Sequence, residues 1–569
     1  MKFHFCAINS QFVHTCLAAH ILCAEAAAKG FDCTLSEYSI NDQINAVIGD
    51  LFGMRADVYL FPVYIFNVEY VKELIDTLKK VLPQCRIVLG GPEVTYGATS
   101  FLAQNTSADI IVLGEGEKPV AALLQALTAG AALSNISNIA YRQDKNVMLS
   151  PQIEELIPMD SIAFPYHDGN ITDYAHKILY YESMRGCPFS CAYCLSANEH
   201  TLRMKSLEKV YEELSFFIRH RIPIIKFTDR TFNVDARRAL RIWQFIKEHN
   251  IATTFHFEIA ADLLTEEHLA LLENMPPDFV QLEIGIQSAN EKTLQAVSRT
   301  TNLTNIATAV KRLVKTDNIH LHTDLIAGLP YETYESFRTS FNFVYALGAQ
   351  MLQLGFLKIL RGSPMEHIAH KQQYVYETRA PYEVLSTPWL SFEEILRLKS
   401  LEQLVEKYAN SQSFSHTLAY VIPHLYAEDA FAFFEDLACF FIQKDLFRRK
   451  VSKPTLYTIL LEFLTNQSVD RDICLTLLQF DYLLSMRVPL PKTLALPQLI
   501  KTDLFDAIER NRALFPEKYS ALPYKQLIKY LRVYVFNRNP LTLHPSPATI
   551  AFWNLPDKKA ASLAPVFLR

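Results

Sequence analysis

Strand-length apolar runs alternate with helical patterns twice along this 569-residue chain, and the double alternation limits the folds open to it. In residues 1 to about 127 the strand-like runs are Lys2–Ile8, Asp32–Ser39, Val58–Tyr64, Arg86–Leu89 and Ile110–Leu113, with helical stretches such as His14–Lys29 and Glu69–Leu82 between them. Short apolar strands joined by helical crossovers predict a parallel, doubly wound sheet. Two glycine-rich turns close strands there, Gly90-Gly91-Pro92-Glu93 and Gly114-Glu115-Gly116-Glu117. Ligands of such sheets bind beyond the carboxyl ends of the strands, where glycine lets backbone N–H groups approach. Ordinary strand-to-helix turns would read the same way.

After a connector with a small hairpin around Asp144–Asn146, the alternation resumes. Its strands are expected at Leu179–Arg185, Ile224–Asp229, Thr254–Ala260, Val280–Gln287, His320–Ile326 and Met351–Leu357. Six strand–helix units predict an incomplete α/β barrel, with its chemistry at the C-terminal ends of the strands. From about residue 370 glycine nearly vanishes and helical patterning dominates, with candidates at Ser391–Lys407, Ala427–Gln443, Leu456–Thr465 and Ala507–Phe515. The expected divisions are therefore 1–135, a linker at 136–172, a barrel at 173–369 and an α-helical domain at 370–569.

Directly after the first barrel strand stands Met184-Arg-Gly-Cys187-Pro-Phe-Ser-Cys191-Ala-Tyr-Cys194. Three thiolates at this spacing fall one short of a closed zinc tetrahedron or a four-cysteine electron-transfer cluster. They suffice for three irons of a four-iron cluster and leave the fourth iron open to a ligand. Unrelated thiols, or zinc completed by His200, are the alternatives. The other seven of the ten cysteines sit singly in apolar or amphipathic segments and are expected to be mostly buried and inert.

Polar residues gather at the barrel strand ends: Thr228-Asp229-Arg230, His256 and Glu258, Glu283 through Gln287-Ser288, His322 and Asp324, Lys358 and Arg361. Such groups suit ribose hydroxyls and the charged ends of an amino acid, though each alone reads equally as a lumen residue with a local partner. His256 and His322 are expected to be satisfied interior histidines. A net charge of −5 leaves no strong nucleic-acid signal. No apolar run reaches membrane-span length, and the N-terminus reads as a strand rather than a signal peptide, so a reduced, cytoplasmic setting is expected.

The cysteine spacing, with Tyr193 before the last thiol, resembles that of the radical S-adenosylmethionine (radical SAM) enzymes. Gln281–Ser288 and Asp324 through Gly328–Thr333 resemble those enzymes' fourth and fifth strands. The N-terminal region resembles the cobalamin-binding domain of one large subclass through Gly90–Glu93, Asp109–Glu117 and Phe61–Asn67. The C-terminus resembles an uncharacterised extension found on some members. The resemblance implies a Rossmann-like cobalamin domain, a partial (β/α)6 barrel and a helical C-terminal domain. It implies a 4Fe-4S cluster on Cys187, Cys191 and Cys194, and S-adenosylmethionine held by Asp229, Glu258, Gln287 and Ser288. It also implies cobalamin near Gly90, Gly91, Gly114, Glu115, Gly116 and Glu117, and an electron donor such as flavodoxin or ferredoxin. Two departures stand out. Thr228-Asp229-Arg230 replaces the family's Gly-Gly-Glu pattern, and no Asp-x-His-x-x-Gly motif offers a histidine to cobalt. The implied activity is radical methylation of an unactivated carbon. Rearrangement, cyclisation or another redox step with the same cofactors is the alternative, and a zinc-binding regulatory protein is a third.

Overall fold

The computed structural model describes residues 1–153, 156–467, 469–554 and 563–568. They form two compact units. The first is Met1–Ser340 with Leu347–Ala349 and Leu354–Ile395, and the second is Phe341–Ala346, Gln350–Gln353 and Leu396–Arg569.

The first unit opens with a seven-stranded sheet. Its strands are β1 (Lys2–Asn9), β2 (Asp32–Ser39), β3 (Val58–Pro62), β4 (Arg86–Gly90), β5 (Ile110–Val112), β6 (Ile139–Gln143) and β7 (Asn146–Leu149), in the order β2-β1-β3-β4-β5-β6-β7. The first five are parallel, and the Asp144 hairpin adds β6 and β7 antiparallel at one edge. Helices cover both faces of β1, which is why it reads as an unbroken apolar run. Cys6 and Ile8 join the core on one face, and Phe3 and Phe5 the core on the other. Strand order reverses between β1 and β3, so the crevice of this sheet opens at the loops after β1, β3, β4 and β5.

The second sheet of this unit is an open six-stranded barrel. Its members are β8 (Ile178–Tyr181), β11 (Ile224–Phe227), β12 (Thr254–Ile259), β13 (Val280–Gln287), β14 (His320–Ala327) and β15 (Met351–Phe356), in the order β15-β14-β13-β12-β11-β8. Along β13 full and partial burial alternate strictly: Val280, Leu282, Ile284 and Ile286 are covered, while Gln281, Glu283, Gly285 and Gln287 are half-exposed. That period of two divides the helix-packed side from the lumen.

The strand expected at Leu179–Arg185 is broken. β8 ends at Tyr181, and Met184–Arg185 form a separate β9, paired antiparallel with β10 (Arg203–Met204). The break comes from Asp229, whose carboxylate accepts the Ser183 amide at 2.8 Å, the Met184 amide at 3.1 Å and the Ser183 hydroxyl at 2.5 Å. A short β16–β17 pair (Val375–Tyr376 with Val384–Ser386) follows the barrel.

The second unit carries helices at Ser415–Tyr426, Ala430–Gln443, Lys453–Thr465 and Arg471–Ser485 around buried phenylalanines and tyrosines. It also contains an antiparallel sheet, β18 (Leu531–Phe536), β19 (Ala548–Trp553) and β20 (Val566–Leu568), which the helical reading missed. In β18 Leu531, Val533, Tyr534 and Phe536 are buried and pack against the helices rather than forming a helix of their own. Among the isolated cysteines Cys6, Cys16, Cys85 and Cys474 are buried, Cys23 and Cys33 are half-buried and Cys439 is exposed. Among the described residues no helix is long and apolar enough to cross a membrane.

Candidate functional site

Gly186 sits where the chain leaves β9, with φ +93°. A Cβ there would stand 2.4 Å from the Thr201 carbonyl oxygen, so only glycine lets the two sides of the following loop approach this closely. The Cys187 amide donates to the Glu199 carbonyl at 3.0 Å, and the Cys194 amide to Cys191 O at 3.0 Å. The loop is tied outward as well: Ala192 N donates to Val297 O, and Met365 N to Ala192 O, each at 2.9 Å.

Within this frame Cys187, Cys191 and Cys194 line one cavity of about 200 Å³. Cys187 and Cys191 are 8% and 7% exposed. Burial pushes the Cys187 thiol above its ordinary pKa, against hydrogen bonds from the Phe189 backbone and Thr231. Among the described residues no trio of His, Cys, Asp or Glu is already gathered around a single ion position. His200 is exposed and does not line the cavity, so zinc closed by that histidine finds no support.

The opposite walls are polar. Gln287 has φ +70° at a register shift in β13, and its amide folds over Gly285, where a Cβ would lie 2.3 Å from Nε2. Gln287 Oε1, Asp324 Oδ1 and Arg299 Nε are buried in the cavity wall without a hydrogen-bond partner. Burial, with the charges of Glu283 and Glu258, pushes Asp324 up to about 8, so it stays protonated at neutrality. Burial likewise raises Glu258, opposed by Arg230 at 3.8 Å. Glu283 differs. Burial would raise it, but the His256 ring at 2.9 Å and Lys226 Nζ at 3.0 Å outweigh that and hold it at about 2. Partial burial, with the neighbouring histidines His320 and His256, lowers His322 to about 4.

Two of the expected ligand residues stand elsewhere. Asp229 is 1% exposed and outside the cavity lining, its oxygens spent on Ser183 and Met184. Ser288 is fully buried; its Oγ accepts the Asn290 amide at 2.9 Å and lies 3.4 Å from Ser340 Oγ. Arg299 was missed by the sequence reading. From the segment after the Glu291–Ala296 helix its Nη1 donates to Tyr193 OH at 3.1 Å and reaches Cys191 Sγ at 3.7 Å, and Nη2 donates to Gly285 O. No local pattern marks it; only the fold brings it beside the thiols.

A second cavity, of about 600 Å³, lies between the first sheet's crevice and the barrel rim. Gly91, Tyr64, Phe66 and Gly114–Glu117 line it from the sheet side, and Glu182, Arg185, Thr228 and Arg230 from the barrel side. Tyr64 and Phe66 are stacked there, 5.5 Å apart and 5° from parallel. Gly90 ends β4 just outside the lining. Gly91 has φ +108° and packs so closely on β3 that a Cβ would meet Val63 O at 2.6 Å. Arg230 lines both cavities, so the two meet at its exposed side chain.

Several contacts link the sheet side to the barrel side around this cavity. Tyr382 OH donates to Glu93, and Asn198 donates to Tyr96 OH and Gly362 O at 2.9 Å each. Arg185 binds Glu115 at 3.0 Å, Glu117 at 2.7 Å and Glu182 at 2.8 Å.

Donor set and cavities fit the implied groups: three thiols on one wall, partnerless buried polar atoms opposite, and an adjoining space bounded by the crevice of the doubly wound sheet.

Three family models match separate stretches of the chain. Residues 181–344 match the model of the radical SAM superfamily, 4–124 that of the B12 binding domain, and 370–548 that of a protein of unknown function, DUF4080. The cobalamin-dependent radical SAM methyltransferase TokK of Streptomyces tokunonensis is 25% identical over 360 residues, 57% of this chain and 50% of that protein. An uncharacterized methyltransferase of Pyrococcus horikoshii is 28% identical over 274 residues, 47% of this chain and 59% of that protein. The chain thus aligns with about half the length of these curated relatives. The structure of the cobalamin-dependent S-adenosylmethionine radical enzyme OxsB, with aqua-cobalamin and S-adenosylmethionine bound, shares the fold with a TM-score of 0.58 at 14% identity, over 92% of this chain and 83% of that one. The radical S-adenosylmethionine methyltransferase TsrM of Kitasatospora setae aligns with a TM-score of 0.55 at 17% identity, over 66% and 78%. The chain therefore carries a B12-binding domain followed by a radical SAM domain and is homologous to cobalamin-dependent radical SAM methyltransferases.

Proposed function

We propose that this chain is a cobalamin-dependent radical SAM methyltransferase acting on an unactivated carbon. The observation that carries the reading is the meeting of the two cavities at Arg230, one walled by three thiols and the other by the B12-binding domain. When bound, the cluster, S-adenosylmethionine and cobalamin supply reductive sulfonium cleavage and a transferable methyl group. The residues do the rest. Cys187, Cys191 and Cys194 give up their protons to hold iron. Arg299 sets a fixed positive charge beside Cys191. Gln287 Oε1 and the protonated Asp324 offer an acceptor and a donor to ribose hydroxyls or an amino-acid end. Glu258, with Arg230, borders the space where the substrate would lie.

A second reading, cyclisation without net methylation, draws on a 23% match over 323 residues to the anaerobic magnesium-protoporphyrin IX monomethyl ester cyclase of Rubrivivax gelatinosus. The test is anaerobic reconstitution with iron, sulfide and cobalamin, then reduction with S-adenosylmethionine carrying a labelled methyl group. Methylation predicts 5′-deoxyadenosine, S-adenosylhomocysteine and label in the product. Deoxyadenosine alone favours the second reading. Replacing Cys187, Cys191 and Cys194 together by Ala is expected to abolish deoxyadenosine, and its persistence would refute the cluster assignment.

A further inference from the structure

The loop that carries the three cysteines has a neck with a charge problem. β9 and β10 pair antiparallel with Arg185 opposite Arg203 and Met184 opposite Met204. Like charges facing each other across two strands push them apart. Both guanidinium groups are mostly buried, 15% and 13% exposed, so water screens little of the repulsion. Part of the compensating charge comes from the B12-binding domain. Glu115 takes Arg185 Nη1 at 3.0 Å with one oxygen, contacts Arg203 Nη1 at 3.2 Å with that same oxygen and Nη2 with the other. Arg185 has two further carboxylates, Glu117 and Glu182. Arg203 has Glu115 alone among the described ion pairs, plus the Ile157 carbonyl at 3.0 Å.

We propose that Glu115 is an electrostatic latch: it holds the two arginines of the neck together, so the cysteine loop closes only when the Gly114–Glu117 turn of the B12-binding domain is seated on it. The inference rests on the reading that the loop carries the cluster. It makes Glu115 and Arg185 positioning residues and ties the order of the cluster site to the neighbouring domain. It also accounts for the charged residues of the turn, whose glycines alone would suffice for close backbone approach.

Two measurements test it on the full-length chain. The first needs no cofactor: amide hydrogen exchange across 185–203 in the apo protein. The second is iron release to bathophenanthroline from the anaerobically reconstituted protein. Glu115→Gln is expected to speed both by on the order of tenfold or more, because losing one partner leaves a buried charge uncompensated. Adding Arg203→Gln is expected to restore both towards the parent, since it removes one of the two repelling cations. A role confined to packing predicts the opposite, a second loss on top of the first. Unchanged exchange in Glu115→Gln, or a double variant worse than the single, overturns the latch. Should Glu115→Gln fail to fold, Arg203→Gln alone must leave exchange at or below the parent rate, and faster exchange overturns the latch equally. A parent protein that takes up no iron would defeat the radical SAM reading, while the apo exchange data would still decide the latch.

Discussion

Asp324 and Asp229 are both buried carboxyls on the barrel, and their partners give them opposite duties. Burial first, then the charges of Glu283 and Glu258 in the shared lumen, raises Asp324 to about 8, and one of its oxygens has no hydrogen-bond partner. In the unfolded chain it would ionise near 3.8. Below that pH both states carry the proton. Between about 4 and 8 only the folded state does, so stability falls as pH rises, by up to about 1.4 kcal/mol per pH unit. In the apo protein Asp324→Asn is expected to flatten this slope; urea midpoints from pH 5 to 8 measure it, and parallel slopes would refute the assignment. Asp229 is a brace. Asp229→Ala strands the buried Ser183 and Met184 amides and is expected to cost about 2–4 kcal/mol, with Asp229→Asn milder because an amide oxygen still accepts. An alanine variant with an unchanged denaturant midpoint would show the brace to be dispensable. The sequence placed both aspartates at strand ends, and the family resemblance gave a ligand role to Asp229 and none to Asp324. What separates them is whether donors from a neighbouring strand reach them, and strand order decides that.

At the scale of elements, the cysteine loop owes its shape to Gly186. Gly186→Ala combines a left-handed φ, costly for any residue with a Cβ, with a Cβ at 2.4 Å from Thr201 O. The expected outcome is a loop that cannot close, a lower melting temperature and a marked fall in iron bound after reconstitution. Full iron content would show that the neck has slack. The cysteine spacing was legible because the three thiols lie within eight residues and their geometry is local. The break between β8 and β9 was not, because the amides that leave the ladder are drawn off by Asp229, 46 and 45 residues downstream. β18 to β20 escaped notice for a related reason. Antiparallel strands in a helix-rich region are stabilised by partners distant in sequence, and a short alternating run of Leu, Val and Phe fits either element.

At the scale of the molecule, the first unit solves the barrel's open edge by covering it. β8 has a strand on one side only, and its free side meets the loop after β1: the Ile178 amide donates to Val13 O at 2.7 Å, and the Thr15 hydroxyl to Ile178 O at 3.0 Å. His14 Nδ1 and Tyr180 OH stand 2.8 Å apart beside them. An exposed strand edge invites pairing with other chains. A variant lacking residues 1–150 is therefore expected to elute as aggregates in size-exclusion chromatography, and a monodisperse product would refute the covering role.

The two alternating α/β regions, the cysteine trio and the family resemblance were legible in the chain, because periodicity, glycine turns and close ligand spacing are written within a few residues. Which polar residues face the cavities was settled by the packing of distant strands. It turned Asp229 and Ser288 inward and brought Arg299 to Cys191 across 108 residues. It also seated Glu115 between two facing arginines. These outcomes depend on which strands lie side by side and on how each buried charge finds its partner, and neither is a property of a short stretch of chain.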